Sequence, residues 1–508
     1  MMIDRITNWL RSLDKTKIVI IVLLLIHLVP VWGFKFIPTQ DGLNHVYNAY
    51  ILKEYNNPAY TKYREVYDLN IKLFPNWIAH AFFFVMLHIM PPLVAEKLYV
   101  TLCVALLPLS LFYFLRAVDK RLMFFGFLGF LYSYNYLLNM GFYGFALSVS
   151  VYFFTLGYWW KHRNALTAAN LAVLYSLLLL TYFCHLFSYG VILLSLSFLA
   201  LTTAILPADP QRSIRERGKE LLKFAGFILP VSFILLTTFL ANPESREIIY
   251  HTDLWDFFVS VRSLVSFNDD YIPISWGLLG FIGVCFLWTL IKDKLIDKRF
   301  IGQRDSFLLL FIVMTVLYFK IPWQIGPPAW FNDRLNLYLF PVLLAWFSFN
   351  YPGWLKQSLI VVMVGLSIAH LGLTFRDYHL LNKDMKEFTS GAHLIAPNSA
   401  ISIITNDWEN GDWHGPIKYM SPFYHDTCYY GLGNGGLYIG NYEPKYSYFP
   451  LRYKNGNWKF QYTGSVIDYM LVWRMDENSD EVRQLKNDYE LIHETKNLKL
   501  FRHKSSGK

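Results

Sequence analysis

The chain has 508 residues, of which 54% are hydrophobic, 18% aromatic and only 16% charged. A water-soluble globule would carry about 25% charged residues, and repeated uncharged runs of about 17 residues or more need a bilayer, which excludes a soluble enzyme. The formal charge of +9 is divided among short basic clusters between apolar runs, a topology signal rather than a nucleic-acid footprint.

The first apolar run is Ile18 to Phe36. It is too long, and lacks the small-residue cleavage site, for a removable signal peptide. Arg5, Arg11, Lys15 and Lys17 precede it, which places the N-terminus on the cytoplasmic side and the residues after the run outside. Those residues begin Pro38-Thr39-Gln40-Asp41-Gly42-Leu43-Asn44-His45-Val46-Tyr47-Asn48. In a helix, Asp41, Asn44, His45 and Asn48 fall on one face, and Leu43, Val46, Tyr47 and Tyr50 on the other. A carboxylate, two amides and an imidazole on one stripe form a candidate site; the alternative is that Asp41 only N-caps an interfacial helix. The rest of the loop to residue 73, rich in Tyr, Asn and Lys, suits helices lying in the membrane interface.

Apolar runs follow at 74–90, 97–115, 122–138, 141–160, 165–182 and 184–206. Three basic clusters, Arg116/Lys120/Arg121, Lys161/Arg163 and Arg212 to Lys223, all lie inside only if one crossing separates Asp41 from Arg116. Either 74–90, with Pro75, His80 and His88, is re-entrant or interfacial, or one cluster breaks the rule. A span at 221–241 leads to an acidic loop, 242–273, with Glu244, Glu247, Asp253, Asp256, Asp269 and Asp270. Spans at 274–291, 306–321, 333–350 and 357–375 complete a transmembrane domain over residues 1–375, with about 11–12 crossings in all.

From residue 376 the composition turns polar, and 376–508 read as a small extracytoplasmic α/β domain. Residues 376–396 suit an amphipathic helix, 400–405 and 468–473 suit strands, 480–490 a helix and 489–502 a closing hairpin. The middle, Asn406 to Tyr446, reads as loop rich in Gly, Tyr, Trp and His. Its Gly431-Leu-Gly-Asn-Gly-Gly436 follows no strand and opens no helix, so it is a weak match to a nucleotide-binding loop. Cys103, Cys184 and Cys285 lie in apolar runs, Cys428 is alone in the polar region, and no spacing resembles a zinc site. No Asn-x-Ser/Thr acceptor is present.

An acidic residue just beyond the first span, interfacial helices after it, a later acidic loop, a basic residue at the outer end of a late span and a small C-terminal domain together resemble the GT-C-type glycosyltransferases. The resemblance covers the layout of the whole chain but few residues in detail. It implies a multi-span enzyme, in a bacterial cytoplasmic membrane, that takes a sugar from a polyprenyl-phosphate donor at the outer face. The acceptor would be a lipid, glycan or protein. The matching acid is Asp41, in Thr39-Gln40-Asp41-Gly42. Many members carry paired acids there and this chain carries one, which sets a metal-bridging role in doubt.

Such a transfer needs a carboxylate to take the acceptor's proton, a role worth roughly 10²- to 10⁴-fold. Asp41 is the candidate base, with Asn44, His45 and Asn48 as substrate contacts on its face. A fixed cation should meet the departing phosphate. Arg334 is best placed for it, beside Asn332 and with Asp333 as a further substrate-binding candidate, unless Arg334 only pairs with Asp333 or snorkels. His185 is an intramembrane ionisable group and so a substrate-binding candidate. Tyr132, Asn135, Tyr136, Asn139 and Tyr143 surround an external turn where Tyr143 could meet sugar, although an aromatic belt explains them too. No residue is assigned as a metal ligand. A divalent cation, Mg²⁺ or Mn²⁺, would have to draw on Asp253 and Asp256 or on Asp269 and Asp270. Trp413 and His414 are candidates for stacking on carbohydrate. The rival readings are a polysaccharide polymerase or ligase, which would favour paired external arginines, a lipid-linked glycan transporter, which would show internal repeats, and a non-catalytic scaffold.

Overall fold

The computed structural model describes residues 15–164, 166–206, 213–240, 247–299, 301–326, 329–405, 417–454, 467–476 and 478–506. The fold is mostly helical, with a sheet domain at its C-terminal end. Among the described residues, six helices are long and apolar enough to cross a membrane: Thr16–Gly33, Pro92–Val118, Leu186–Ile205, Ile214–Thr238, Asp269–Ile296 and Gly353–Leu394.

The first of these spans contains α1 (Lys15–His27) and α2 (Val29–Gly33). It leads through an extended segment into α3 (Gly42–Glu54), α4 (Thr61–Val66) and strand β1 (Tyr67–Leu69). Next comes α5 (Trp77–Met86), entered from Asn76 in the left-handed region. Its ten residues rise about 15 Å, half of the roughly 30 Å hydrocarbon core. The run 74–90 is therefore not a full-length helical span, in keeping with the re-entrant or interfacial alternative. The span after it, α6 (Pro92–Val118), starts with proline at its first position, where the missing N–H is harmless.

The expected single helix over 122–138 is broken. A 3₁₀ segment, Lys120–Phe127, runs into Leu128–Leu131, and a separate turn forms at Tyr136–Asn139. Asn135 makes the break, because its Oδ1 accepts Leu138 N–H at 3.0 Å while its Nδ2 donates to the Tyr132 carbonyl at 3.0 Å. Then come α7 (Tyr143–His162), α8 (Ala168–Cys184), α9 (Leu186–Ile205) and α10 (Ile214–Leu240).

Strand β2 (Ile248–Ile249) precedes α11 (Ile272–Thr289) and α12 (Asp305–Lys320). β2 pairs antiparallel with β3 (Gln324–Ile325), tying the acidic loop to the segment before α13 (Phe331–Leu343). α13 has 13 residues, about 20 Å, so the run 333–350 is a shorter helix than expected. The next helix is longer than expected. α14 (Gly353–Phe388) is continuous over 36 residues, merging the run 357–375 with the amphipathic segment after it. The boundary at residue 375 thus falls inside a helix that carries the chain directly into the sheet domain.

That domain contains a five-stranded sheet in the order β5-β4-β7-β9-β8. β4 (Ala400–Thr405) lies parallel to β5 (Leu437–Tyr438) and β7 (Tyr469–Trp473). α15 (Asp480–Asp488), N-capped by Ser479, precedes the antiparallel hairpin of β8 (Tyr489–Glu494) and β9 (Leu498–His503). A separate antiparallel pair joins β1 to β6 (Leu451–Tyr453), with Tyr67 opposite Tyr453. The first loop and the C-terminal domain are therefore stitched together. The glycine run serves the same join. Tyr47 Oη donates to the Gly436 carbonyl at 2.8 Å and accepts Tyr438 N–H at 2.9 Å. Gly435 sits at φ 70° with the Tyr60 ring against it, a place no Cβ could share. Gly431–Gly436 is a dock for tyrosines, which accounts for its glycines without a nucleotide.

Candidate functional site

Asp41 directly precedes α3 but makes no side-chain capping bond. Its backbone is held from elsewhere: Asp41 N–H donates to the Met140 carbonyl at 3.1 Å, and Gln40 N–H to Asn139 at 3.1 Å. Gly141, at φ 80°, lies so close to the Asp41–Gly42 backbone that a Cβ would collide with it. The turn after Asn135 is thus a bracket for Asp41. Asn139 braces it by donating to Ser266 Oγ at 2.9 Å and accepting from Tyr378 at 2.9 Å.

The Asp41 carboxylate is 8% exposed and faces a cavity of about 730 Å³. The same cavity is lined by His45, His80, His185, Arg334, His425, Tyr442 and Lys445. Its apolar wall includes Val191 and Leu194 of α9, Leu235 of α10 and Leu317 of α12. Polar groups come mainly from loops and the C-terminal domain, and much of the grease from the bundle. A ligand with a polar head and an apolar tail fits that division.

Burial pushes the Asp41 carboxyl up to about 7. His45, a hydrogen bond from Gln40 Nε2 at 3.2 Å and one from Tyr442 pull the other way, and the negative Glu443 nearby adds to the rise. His425 Nε2 stands 3.8 Å from Asp41 Oδ1. Its ring stacks on Tyr442 at 4.8 Å, and burial lowers it to about 3. It is a neutral neighbour at physiological pH.

Arg334 lines the cavity with its guanidinium over the Phe142 and Phe145 rings, at 5.1 and 5.5 Å. No ion pair joins it to a carboxylate among the described residues, and its buried Nε has no hydrogen-bond partner. Asp333, the neighbour expected to pair with it, is buried outside the cavity lining and feels Arg262 most strongly among cations. Asp333, named beside Arg334 as a substrate-binding candidate, does not line the cavity that Arg334 lines, since successive helical residues do not share a face.

His185 interrupts α8 and α9 in an extended conformation, and its Nδ1 accepts Phe187 N–H at 3.2 Å. The ring packs edge-on to Phe145 at 5.2 Å and lines the cavity. With Nδ1 accepting, the proton rests on Nε2, which remains a donor.

Three other expected contacts are not cavity-lining. Asn44 Nδ2 reaches Cys428 Sγ at 3.7 Å. Asn48 exchanges hydrogen bonds with Asn441, at 3.1 and 2.9 Å, fastening α3 to the C-terminal domain. Tyr143 donates to Glu96 Oε1 at 2.7 Å and meets Thr39 at 3.1 Å, behind the Asp41 turn. The helical face was read correctly, but only its Asp41 and His45 end faces the cavity. Two of the four acids named for Mg²⁺ or Mn²⁺ are engaged in ion pairs. Asp269 pairs with Lys418 and Tyr419, and Asp270 with Arg376 at 2.6 Å. Trp413 and His414 lie outside the described residues.

The residues that chain order did not reveal are His80, His425, Tyr442 and Glu443. Glu443, fully buried, contacts His45 Nδ1 at 2.5 Å through Oε1 and His80 Nε2 at 2.8 Å through Oε2. Burial alone would raise this carboxyl, but the two imidazoles hold it down to about 2. The three side chains are a possible metal-binding set, although their spacing across the chain carries no zinc signature. No family model, curated protein or solved structure matches this chain.

Proposed function

We propose that this chain is a membrane glycosyltransferase of GT-C type, moving one sugar from a polyprenyl-phosphate carrier to a hydroxyl acceptor at the outer face of a bacterial membrane. The observation that carries the reading is the pairing of Asp41 and Arg334 in one cavity whose remaining wall is largely apolar. Both groups are poised for the two ends of the reaction. A carboxyl held near 7 is half ionised at neutral pH and matched to proton transfer. A guanidinium with no carboxylate in an ion pair with it among the described residues, and with a buried Nε that has no hydrogen-bond partner, is available to a phosphate.

In this mechanism the acceptor oxygen attacks the anomeric carbon while its proton passes to Asp41. The bond between that carbon and the phosphate oxygen breaks, and the polyprenyl phosphate leaves with the electron pair. Arg334 meets the charge that develops on the phosphate, where a preorganised donor is worth most. His185 Nε2–H supplies a second donor on the same wall. The carrier's isoprenoid chain lies against Val191, Leu194 and Leu235. One displacement inverts the anomeric centre.

The test is transfer from a panel of radiolabelled polyprenyl-phosphate sugars by protein in lipid nanodiscs. Wild type should consume at least one donor, and Asp41→Asn should be inactive while remaining folded and inserted. Full activity in that variant would remove Asp41 from the mechanism.

A further inference from the structure

The His45, His80 and Glu443 cluster plays no part in the mechanism above, and its construction is unusual for a structural contact. The three residues come from α3, α5 and the C-terminal domain, so the fold spends three separate segments on it. Glu443 is 0% exposed, and among the described residues its carboxylate has ion-pair contacts only with the two imidazoles. A buried carboxylate requires compensating charge, and the fold points two imidazoles and nothing else at this one among the described residues. The His45 contact is also misaligned. At 2.5 Å, His45 Nδ1 and Glu443 Oε1 are close enough to touch, yet both atoms are buried without any properly directed hydrogen bond. The rings stand at 87° with centroids 5.2 Å apart, aiming their nitrogens at the carboxylate from two directions.

We propose that His45, His80 and Glu443 bind a first-row divalent cation of the zinc type. One donor atom from each residue lies within 4.8 Å of the others. Two imidazoles and one carboxylate are the donor set of open zinc sites, with distances of about 2.0–2.2 Å. They are a poor set for Mg²⁺ or Ca²⁺, which take oxygen ligands. Accommodating an ion requires the direct contacts of 2.5 and 2.8 Å to open toward the roughly 3.3 Å edge of a tetrahedron with such bonds. The ion then supplies the charge that the buried carboxylate needs.

Position gives the site its meaning. His45 and His80 both line the cavity that Asp41 faces, so the ion's remaining coordination position opens toward that space. A phosphate or hydroxyl oxygen bound there is its natural further ligand. Only this last clause rests on the glycosyltransferase reading; the metal site itself does not.

The experiment is metal analysis of the tag-free full-length protein in detergent, stripped with chelator and dialysed against Zn²⁺. Wild type should retain about one Zn²⁺ per chain. His80→Asn and Glu443→Gln should each weaken retention at least tenfold, whereas Asp41→Asn should leave it unchanged. Equal retention by wild type and both ligand variants would overturn the proposal, as would no retention by wild type. Because a ligand variant can misfold, zinc K-edge X-ray absorption on the wild type provides an independent reading. Two imidazoles with oxygen support the site; a sulfur-containing or oxygen-only shell contradicts it. Neither readout depends on turnover, so failure of the transferase reading and failure of the metal site are separately visible.

Discussion

Asp41→Asn should separate activity from stability, because burial makes the wild-type carboxylate costly. The Asp41 carboxyl rises from 3.8 to about 7 on folding. A rise of about three units, at 1.36 kcal/mol each, puts the ceiling on the cost of ionising it at about 4 kcal/mol. The folded state holds its proton more tightly than the unfolded state. Stability conferred by this residue is therefore greatest below about pH 4, falls as pH rises through about 7, and is level above that. Asparagine carries no such cost. Its amide keeps only one acceptor oxygen, however, enough for the Gln40 bond but not for the one from Tyr442 as well, and the lost hydrogen bond takes back on the order of 1 kcal/mol. The variant should then be more stable than wild type by about 2–3 kcal/mol at pH 8, with the advantage shrinking toward pH 5. Paired thermal-denaturation scans in detergent at the two pH values read this, at one scan rate because unfolding of such proteins is often irreversible. The reasoning is refuted if Asp41→Asn is less stable at pH 8, or if the difference does not depend on pH.

Other expectations follow from the same geometry. The wild-type kcat/KM should rise with pH through about 7, since Asp41 acts as a base only when ionised; a flat profile between pH 6 and 8 would count against it. Arg334→Gln should lower transfer by roughly 10²- to 10³-fold, and Arg334→Lys should restore only part of that, since an ammonium lacks the planar fork. Radiolabel transfer at saturating acceptor measures both. Tyr47→Phe should cost about 1–3 kcal/mol by leaving Tyr438 N–H without its partner and the Gly436 carbonyl with only the 3.3 Å bond from Tyr63. A lowered midpoint with the acid limb of the pH profile unmoved would mark Tyr47 as a docking residue.

Much of the layout was legible because bilayer physics writes itself into composition. Long, nearly uncharged runs such as 97–115 and 357–375 announce helices, and short apolar runs such as 469–473 announce buried strands. The broken segment at 122–138 was not legible, because hydropathy is blind to a side chain such as Asn135 that caps a new turn inside an apolar run. Asp41 and His45 stood out through their spacing on one helical face. Asn44 and Asn48 share that face but meet Cys428 and Asn441, respectively, which sequence distance hides. Glu443 and His80 are separated by 363 positions, so no local pattern joins them. Only the stitching of the first loop to the C-terminal domain, through β1 with β6 and Tyr47 with the glycine run, brings the site's halves together.

The central claim is that one cavity holds both the carrier phosphate and the base. An electron cryomicroscopy map of the protein in nanodiscs supplied with polyprenyl phosphate tests it most directly. The account predicts phosphate density within hydrogen-bond reach of Arg334, with the isoprenoid chain along Val191 and Leu194 and Asp41 facing the same space. Carrier density elsewhere on the bundle, with nothing at Arg334, would contradict it.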